Sequence, residues 1–193
     1  IGVRHADILN SMDAVKKVSV LSSQINLPYE TITSLEEITK LNPNYIVIAS
    51  NTSLHYEQLV FLEENLQGTK ILVEKPIFDS FYDLEINNNQ VFVGFNLRFH
   101  PFLQLVKEKI IDKNLWNIQL FCGSYLPDWR PNRDYRISAS AKNETGGGVL
   151  LDLSHELDYV QWLAGPLEVD LAVSEKVSDL EIDSDDLLLL SGR

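Results

Sequence analysis

Two segments of this chain carry side chains suited to acid–base chemistry. The first is Glu74-Lys75-Pro76, which closes the apolar run Lys70-Ile71-Leu72-Val73. Such a run is typical of a buried parallel strand, so Glu74 and Lys75 are expected at the carboxyl edge of a sheet, where open α/β folds bind ligands. Pro76 favours an extended backbone at Lys75, and burial beside a ligand suits a lysine to proton transfer. The alternative is a strand that ends in a solvated ion pair at a proline turn.

The second segment runs from Gly146 to Pro166. Its glycine-rich start, the helical spacing of its apolar residues and its Gly-Pro end predict one helix. One face of that helix would carry a carboxylate, an imidazole and two aromatic rings, those of Asp152, His155, Tyr159 and Trp162. Such a face can form the wall of a polar pocket. The alternative is that Asp152 complements the helix dipole while His155 belongs to the packed core.

Together with Val93-Gly94-Phe95-Asn96-Leu97-Arg98-Phe99-His100-Pro101, these segments resemble the Gfo/Idh/MocA family, the NAD(P)-dependent relatives of glucose–fructose oxidoreductase and inositol dehydrogenase. The three motifs occur in the family's order and span nearly the whole chain. The stretch Gly123-Ser124-Tyr125-Leu126-Pro127-Asp128-Trp129-Arg130-Pro131 is also similar to members of surface-sugar and nucleotide-sugar pathways. The resemblance implies hydride transfer between a nicotinamide, NAD or NADP, and a carbinol or carbonyl carbon of a sugar or nucleotide sugar.

The resemblance also implies catalytic roles for three residues. Lys75 is expected to hold and polarise the reacting oxygen, His155 to act as general acid/base, and Asp152 to orient or tune the imidazole. In many relatives the acidic residue precedes the histidine by four positions. Here Leu151 occupies that place and Asp152 lies three positions before His155, a spacing that still keeps both on one helical face.

Cofactor contacts are expected along the first half of the chain. Gly2 resembles the last glycine of a dinucleotide fingerprint, at a helix start that would hold a pyrophosphate. Ser22 and Ser23 stand where a carboxylate would bind a ribose diol; its absence favours NADP, but no neighbouring arginine is present for a 2′-phosphate. The later cofactor residues are predicted to be Ser50, Asn51, Thr52, His55, Glu74, Lys75 and Asn96. For the first three, the alternative is an ordinary helix start capped by Ser53.

Substrate contacts are expected mainly from the polar loop between Leu126 and Glu144, which is long for a compact domain. Guanidinium groups bind phosphate or carboxylate, and an indole stacks on a sugar or base. The predicted contacts are Arg98, Trp129, Arg130, Tyr135 and Arg136. The alternatives are a solvated loop and, for Arg98, an interdomain ion pair.

The pattern of elements predicts an α/β fold. Strands alternate with helical segments up to Asn96, which indicates βαβ units and a parallel sheet. We therefore expect a Rossmann-like domain over 1–96 that lacks its first strand. Part of an α+β domain with an open, mainly antiparallel sheet would follow over 97–193, including a long strand from Trp116 to Tyr125. Both ends of the chain look cut.

Composition restricts the remaining function classes. The 193 residues carry a net charge of −12, which argues against nucleic acid or an anionic membrane as partner. The single cysteine, Cys122, excludes an intrachain disulfide and fits a reducing cytoplasm. The four histidines and Cys122 lack the spacing of metal ligands, so no metal site is predicted. The family resemblance implies a homo-oligomer, because relatives commonly pair through the sheet of the second domain. The alternative to an oxidoreductase is a non-catalytic regulator that binds the cofactor.

Overall fold

The computed structural model describes all 193 residues, which form two compact units, Ile1–Gly94 and Phe95–Arg193. Each unit has its own strands and helices and is described by itself. The predicted domain limit between residues 96 and 97 stays a prediction. None of the helices is both long enough and apolar enough to cross a lipid bilayer.

The first unit is built from alternating helices and parallel strands. Its elements are α1 (Gly2–Asn10), β1 (Ser19–Leu21), β2 (Glu30–Ile32), α2 (Leu35–Leu41), β3 (Tyr45–Ile48), α3 (His55–Asn65), β4 (Lys70–Val73) and β5 (Gln90–Val93). β1 pairs with β2, and β3, β4 and β5 form a second parallel group in that order, with no ladder joining the two groups. This arrangement confirms the predicted Rossmann-like pattern of parallel strands alternating with helices.

The core of this unit lies between α3 and the β3–β4–β5 sheet. Leu59 and Leu62 lie on one face of α3, Leu66 directly follows the helix, and all three are almost fully buried. They pack on Ile71 and Val73 of β4, which expose none of their surface. Full burial of one such side chain contributes about 1.5–3 kcal/mol, so these contacts fix the sheet to which the motif residues are attached.

A buried carboxylate organises the start of β5. Glu63 of α3 is 6% exposed. Its Oε1 accepts hydrogen bonds from the backbone N–H groups of Asn87 at 2.7 Å and Asn88 at 2.5 Å, and its Oε2 accepts one from the Asn89 side-chain amide at 2.9 Å. Burial alone would raise the pKa of Glu63, but these hydrogen bonds outweigh it and hold the pKa below its usual value. The connection into β5 is therefore fixed although it contains no helix.

The second unit combines helices with one antiparallel ladder. Its elements are α4 (Pro101–Ile110), α5 (Val149–Asp152), α6 (His155–Ala164), β6 (Val169–Glu175) and β7 (Leu187–Gly192). β6 pairs with β7 in antiparallel register. Short 3-10 helices cover Asn96–Phe99, Leu126–Asp128, Tyr135–Ile137, Ala139–Ala141 and Asn143–Thr145. This unit matches the predicted α+β part of the chain.

The long strand predicted from Trp116 to Tyr125 is wrong. This stretch forms no ladder, since β6 and β7 pair only with each other. Trp116 and Phe121 are 92% and 96% exposed. A β-strand needs a neighbour for its backbone hydrogen bonds, and this segment has none.

Candidate functional site

The carboxyl ends of three parallel strands meet at one edge of the first unit. Ile48, Val73 and Val93 are in register as the last residues of β3, β4 and β5. Pairing continues one residue further, since Glu74 N–H donates to the Ile48 carbonyl at 2.9 Å and Gly94 N–H donates to the Val73 carbonyl at 2.8 Å. The segments that begin at Ala49, Glu74 and Gly94 therefore leave the sheet side by side, as the motifs predicted.

Glu74 and Lys75 lie half-buried at this edge, and the Glu74 carboxylate contacts α1. His5 Nε2 lies 2.6 Å from Glu74 Oε1. On the other side, a Cβ added at Gly94 would lie 3.4 Å from Glu74 Oε2. The glycine thus leaves room for the carboxylate. Sequence reasoning missed His5; its position three residues after Gly2, one turn into the same helix, was the available signal.

The segment after β3 carries the small polar residues assigned to the cofactor. The Ser50 hydroxyl donates to Gln58 Oε1 of α3 at 2.7 Å. Asn51 is exposed, and Thr52 begins a one-turn 3-10 helix (Thr52–Leu54) that leads into α3. Ser53 lies inside this turn and makes no cap, because the residue before α3 is Leu54. The alternative of a serine-capped helix start is therefore wrong.

His55, the first residue of α3, is 1% exposed and is surrounded by main-chain carbonyls. Its Nδ1 lies 3.1 Å from the carbonyl oxygen of Pro76 and 3.2 Å from that of Ile77. Its Nε2 lies 3.3 Å from the carbonyl oxygen of Ser50. The imidazole therefore joins the segments that follow β3 and β4.

The remaining first-unit residues lie at the starts and ends of elements. Gly2 is the first residue of α1, and a Cβ added to it would lie 3.9 Å from the Ala49 side chain, so α1 begins beside the end of β3. Ser22 and Ser23 follow β1, in the other parallel group, and the Ser22 hydroxyl accepts a hydrogen bond from Gln24 N–H at 3.1 Å. The structure thus gathers Gly2, Ser50, His55, Glu74 and Lys75 around one sheet edge and leaves the serine pair on a separate ladder.

In the second unit, the single helix predicted from the glycine run to Gly165 is wrong. It is broken into α5 and α6 at Leu153 and Ser154, and the backbone angles of Leu153 lie outside the helical region. Asp152 is the last residue of α5, and His155 is the first residue of α6. The two residues therefore do not share one continuous helical face. Serine is common at the start of a helix. Ser154 was therefore the available signal for a new helix, although the apolar spacing continues across it.

The glycine run is required by close backbone contacts. A Cβ on Gly147 would lie 2.4 Å from the Ala139 carbonyl oxygen, and one on Gly148 would lie 2.0 Å from Asp185 Oδ1. Gly148 also has a φ of +103°. The Asp185 carboxylate accepts the N–H of Leu150 at 3.0 Å, and its carbonyl accepts that of Val149 at 3.0 Å. Asp185, which the sequence did not single out, thus holds the start of α5.

Two side chains of α6, those of His155 and Asp158, contact the segment at the start of this unit. The rings of His155 and Phe95 are in edge contact, with centroids 5.8 Å apart. One turn further, Asp158 forms a bidentate ion pair with Arg98, whose Nε donates to Asp158 Oδ2 at 2.8 Å and whose Nη2 donates to Oδ1. This pairing raises the pKa of Arg98 against the opposing effect of burial. Arg98 thus has a fixed ion-pair partner within its own unit, and Asn96 begins the same 3-10 helix.

The arginines of the polar loop differ in their partners. Arg136 donates to Asp134 through Nε and Nη2 and to Glu181 through Nη1, all at 2.8 Å. Tyr135 is half-buried, and its hydroxyl accepts the N–H of Glu181 at 3.3 Å. Trp129 donates from its indole N–H to the Ser124 hydroxyl at 2.6 Å, and Arg130 is exposed next to it. Tyr135 and Arg136 therefore both contact Glu181. Trp129 and Arg130 lie earlier in the loop and are both exposed.

Comparisons with known proteins agree with this architecture. Residues 107–189 match the family model described as the oxidoreductase family, C-terminal alpha/beta domain. An uncharacterized oxidoreductase of Synechocystis sp. is 28% identical over 194 aligned residues, covering 94% of this chain and 50% of that protein. Levoglucosan dehydrogenase of Pseudarthrobacter phenanthrenivorans is 31% identical over 135 residues, covering 65% of this chain and 34% of that protein. The chain thus spans half or less of the length of these curated relatives.

Solved structures extend the match. A levoglucosan dehydrogenase in complex with NADH and levoglucosan superposes with a TM-score of 0.67 at 27% identity, covering 85% of this chain and 48% of that one. The WlbA dehydrogenase of Bordetella pertussis, in complex with NADH and UDP-GlcNAcA, has the same fold, with a TM-score of 0.64 at 21% identity over 86% of this chain and 52% of that one. The three sequence motifs, the family model over residues 107–189 and these matches agree in one respect: the chain is similar to the Gfo/Idh/MocA oxidoreductases.

Proposed function

We propose that the protein is an NAD(P)-dependent oxidoreductase that transfers a hydride between the nicotinamide and a hydroxyl or carbonyl carbon of a sugar or nucleotide sugar. The observation that carries the proposal is the convergence of the β3, β4 and β5 ends, where Lys75 is half-buried beside the His5–Glu74 contact. Open α/β sheets bind ligands outside the carboxyl ends of their strands.

The residues of the first unit fit a pyridine dinucleotide. α1 begins at Gly2 beside the end of β3, and a helix start presents N–H groups that attract phosphate. Ser50, Asn51 and Thr52 supply polar groups on the neighbouring segment. The nicotinamide, when bound, supplies the hydride acceptor or donor. The NADH complexes of the structural relatives support NAD as the first cofactor to test.

In the proposed reaction, Lys75 stabilises charge that develops on the substrate oxygen, and His155 transfers the proton of the reacting hydroxyl. Asp152 would tune the imidazole from the end of α5 rather than from the face of a shared helix. Trp129 and Arg130 are the proposed substrate contacts whose side chains are exposed. A sugar or a nucleotide sugar is the proposed substrate class because the relatives' complexes contain levoglucosan and UDP-GlcNAcA.

The test uses the full-length protein and follows nicotinamide absorbance with a panel of sugars and nucleotide sugars. Lys75→Ala is expected to lower turnover by at least about a hundredfold while changing the dissociation constant for NADH little. Lys70→Ala is the matched control, since Lys70 is exposed at the opposite end of β4. Wild-type turnover in Lys75→Ala would refute the assignment. Binding of NADH without turnover on any substrate would favour the non-catalytic regulator.

We also propose that the intact protein works in the cytoplasm as a homo-oligomer. The open β6–β7 ladder supports an oligomer, since each strand has one unpaired edge. Sedimentation of the full-length protein across a concentration range tests the assembly, and a monomer at every concentration would contradict it.

A further inference from the structure

We propose that His55 is a positioning residue that holds the backbone after Lys75 in place; this inference rests on the proposed function of Lys75. His55 is closed off from solvent, with 1% of its surface exposed, and both ring nitrogens contact main-chain oxygens. It would therefore act on the reaction only through the main chain that it contacts.

The contacts of His55 are concentrated on the two residues that follow Lys75. Nδ1 lies 3.1 Å from the Pro76 carbonyl oxygen and 3.2 Å from the Ile77 carbonyl oxygen. A carbonyl oxygen only accepts, so Nδ1 must carry the proton and donate to both. Nε2 makes a single, longer contact, at 3.3 Å from the Ser50 carbonyl oxygen. The Nδ1 side of the ring therefore makes the two shorter contacts, both to the segment after Lys75.

This donor matters because of the chemistry of proline. Pro76 has no N–H, so its carbonyl is the only main-chain group through which it can be held by a hydrogen bond. Pro76 is buried, and its carbonyl is fixed by a side chain that is anchored in the first turn of α3. His55 therefore restrains the chain directly after Lys75, while the ladder of β4 restrains it directly before Glu74.

The same geometry argues against a direct role for His55 in binding a cofactor. Both ring nitrogens contact main-chain oxygens of this unit, and the ring is closed off from solvent. A misplacement of about 1 Å in a catalytic group can lower the rate about a hundredfold. Loss of the Nδ1 donor is therefore expected to reduce kcat more than it weakens cofactor binding.

Two substitutions separate the two sides of the ring. His55→Asn places an amide N–H near the position of Nδ1, whereas His55→Gln places one near the position of Nε2. In the full-length protein we expect His55→Asn to keep kcat within about threefold of wild type and His55→Gln to lower it at least about tenfold, with the dissociation constant for NADH nearly unchanged in both. Melting temperatures of both variants control for a loss of folding.

A second measurement reports on Lys75 without turnover. Reductive ¹³C-methylation of the lysines, with the Lys75 signal assigned by its absence in Lys75→Arg, gives the NMR shift of that amine. We expect the signal to move in His55→Gln and to stay in place in His55→Asn. Should His55→Gln not fold, the Asn variant decides alone: a tenfold loss of kcat at wild-type melting temperature contradicts the inference.

The outcomes distinguish this inference from the proposed function. If Lys75→Ala turns over like wild type, the proposed function fails, and the NMR shift still shows whether His55 positions the amine. If Lys75→Ala is inactive while His55→Gln matches His55→Asn in kcat and in the Lys75 signal, the positioning role is refuted and the proposed function stands.

Discussion

His5 Nε2 lies 2.6 Å from Glu74 Oε1, which joins the first helix to the strand end that carries Lys75. The two side chains are 26% and 19% exposed, so water competes with this contact only in part. The contact bridges the helix that begins at Gly2 and the motif residue next to Lys75. The two segments predicted to hold the cofactor and to do chemistry are thus connected by side chains.

Removing the His5 donor is expected to destabilise the chain. A hydrogen bond to a charged group contributes about 1.5–3 kcal/mol, and partial exposure places this one at the lower end. His5→Leu should therefore lower the free energy of unfolding by about 1–2 kcal/mol, measured by urea denaturation. His5→Gln is the control because its amide can still donate to the carboxylate. Equal stabilities of the two variants would show that the contact contributes nothing.

The glycine run allows a prediction with a closely matched control. Gly148 and Gly165 have φ values of +103° and +102°, so alanine is strained at both positions. An added Cβ meets Asp185 Oδ1 at 2.0 Å at Gly148, but it meets nothing within 4 Å at Gly165. Gly165→Ala measures the backbone cost of about 1–3 kcal/mol, and Gly148→Ala should cost at least about 1–3 kcal/mol more.

We attribute the larger loss of stability in Gly148→Ala to the contact with Asp185, and a double substitution tests this. Adding Asp185→Ala to Gly148→Ala removes the clashing oxygen, so the two changes should be less damaging together than their sum, by about 1 kcal/mol or more. Thermal unfolding of the four variants gives the values. Strict additivity, or equal costs at Gly148 and Gly165, would show that the contact with Asp185 does not decide the choice of glycine.

The first unit was largely predictable from the sequence because its signals are local. A continuous apolar run such as Ile71-Leu72-Val73 indicates a buried strand. The leucines of α3 recur at helical spacing, which indicates a helix. β2 was missed, since Glu30-Thr31-Ile32 is a three-residue strand defined by its pairing with β1. The false strand from Trp116 to Tyr125 has the same origin, because pairing cannot be read from one segment.

For the candidate site, the sequence supplies residue types but not their contacts. Lys75 and His155 lie in segments that resemble family motifs, whereas His5, Asp158 and Asp185 are ordinary charged residues whose partners lie far away along the chain. The break between α5 and α6 was missed because Leu153 and Ser154 do not interrupt the apolar pattern. Long-range contacts of this kind require the folded chain.

Glu63 is expected to make stability depend on pH. Its folded-state pKa lies below the ordinary value of 4.5 because hydrogen bonds from Asn88, Asn89 and Asn87 outweigh the effect of burial. A lowered pKa means that the ionised form stabilises the fold fully above the unfolded-state pKa. This stabilisation is lost as the pH falls through the folded-state pKa.

Glu63→Gln removes this dependence and sets an amide N–H against the Asn89 amide. At neutral pH it should cost about 2 kcal/mol in free energy of unfolding, and the difference from wild type should shrink below about pH 4.5. Glu64→Gln, at the exposed neighbouring position, is the control and should change little. A deficit that stays constant from neutral to acidic pH would assign the effect to packing and not to the charge.

The Arg98–Asp158 pair predicts an unequal response to the loss of either partner. The Asp158 side chain is 6% exposed and that of Arg98 is 41% exposed. Removing Arg98 leaves a buried carboxylate without its cation, which costs about 3 kcal/mol. Removing the charge of Asp158 leaves a guanidinium that can still reach water, which costs about 1 kcal/mol.

Urea denaturation of Arg98→Met, Asp158→Asn and the double variant measures this asymmetry. The Met variant should be the least stable of the three, and the double variant should recover part of its loss because no buried charge remains. Arg98→Lys keeps the charge but not the bidentate geometry, so it should fall between wild type and Arg98→Met. If Asp158→Asn were as damaging as Arg98→Met, the cost would come from the lost hydrogen bonds and not from an uncompensated buried carboxylate.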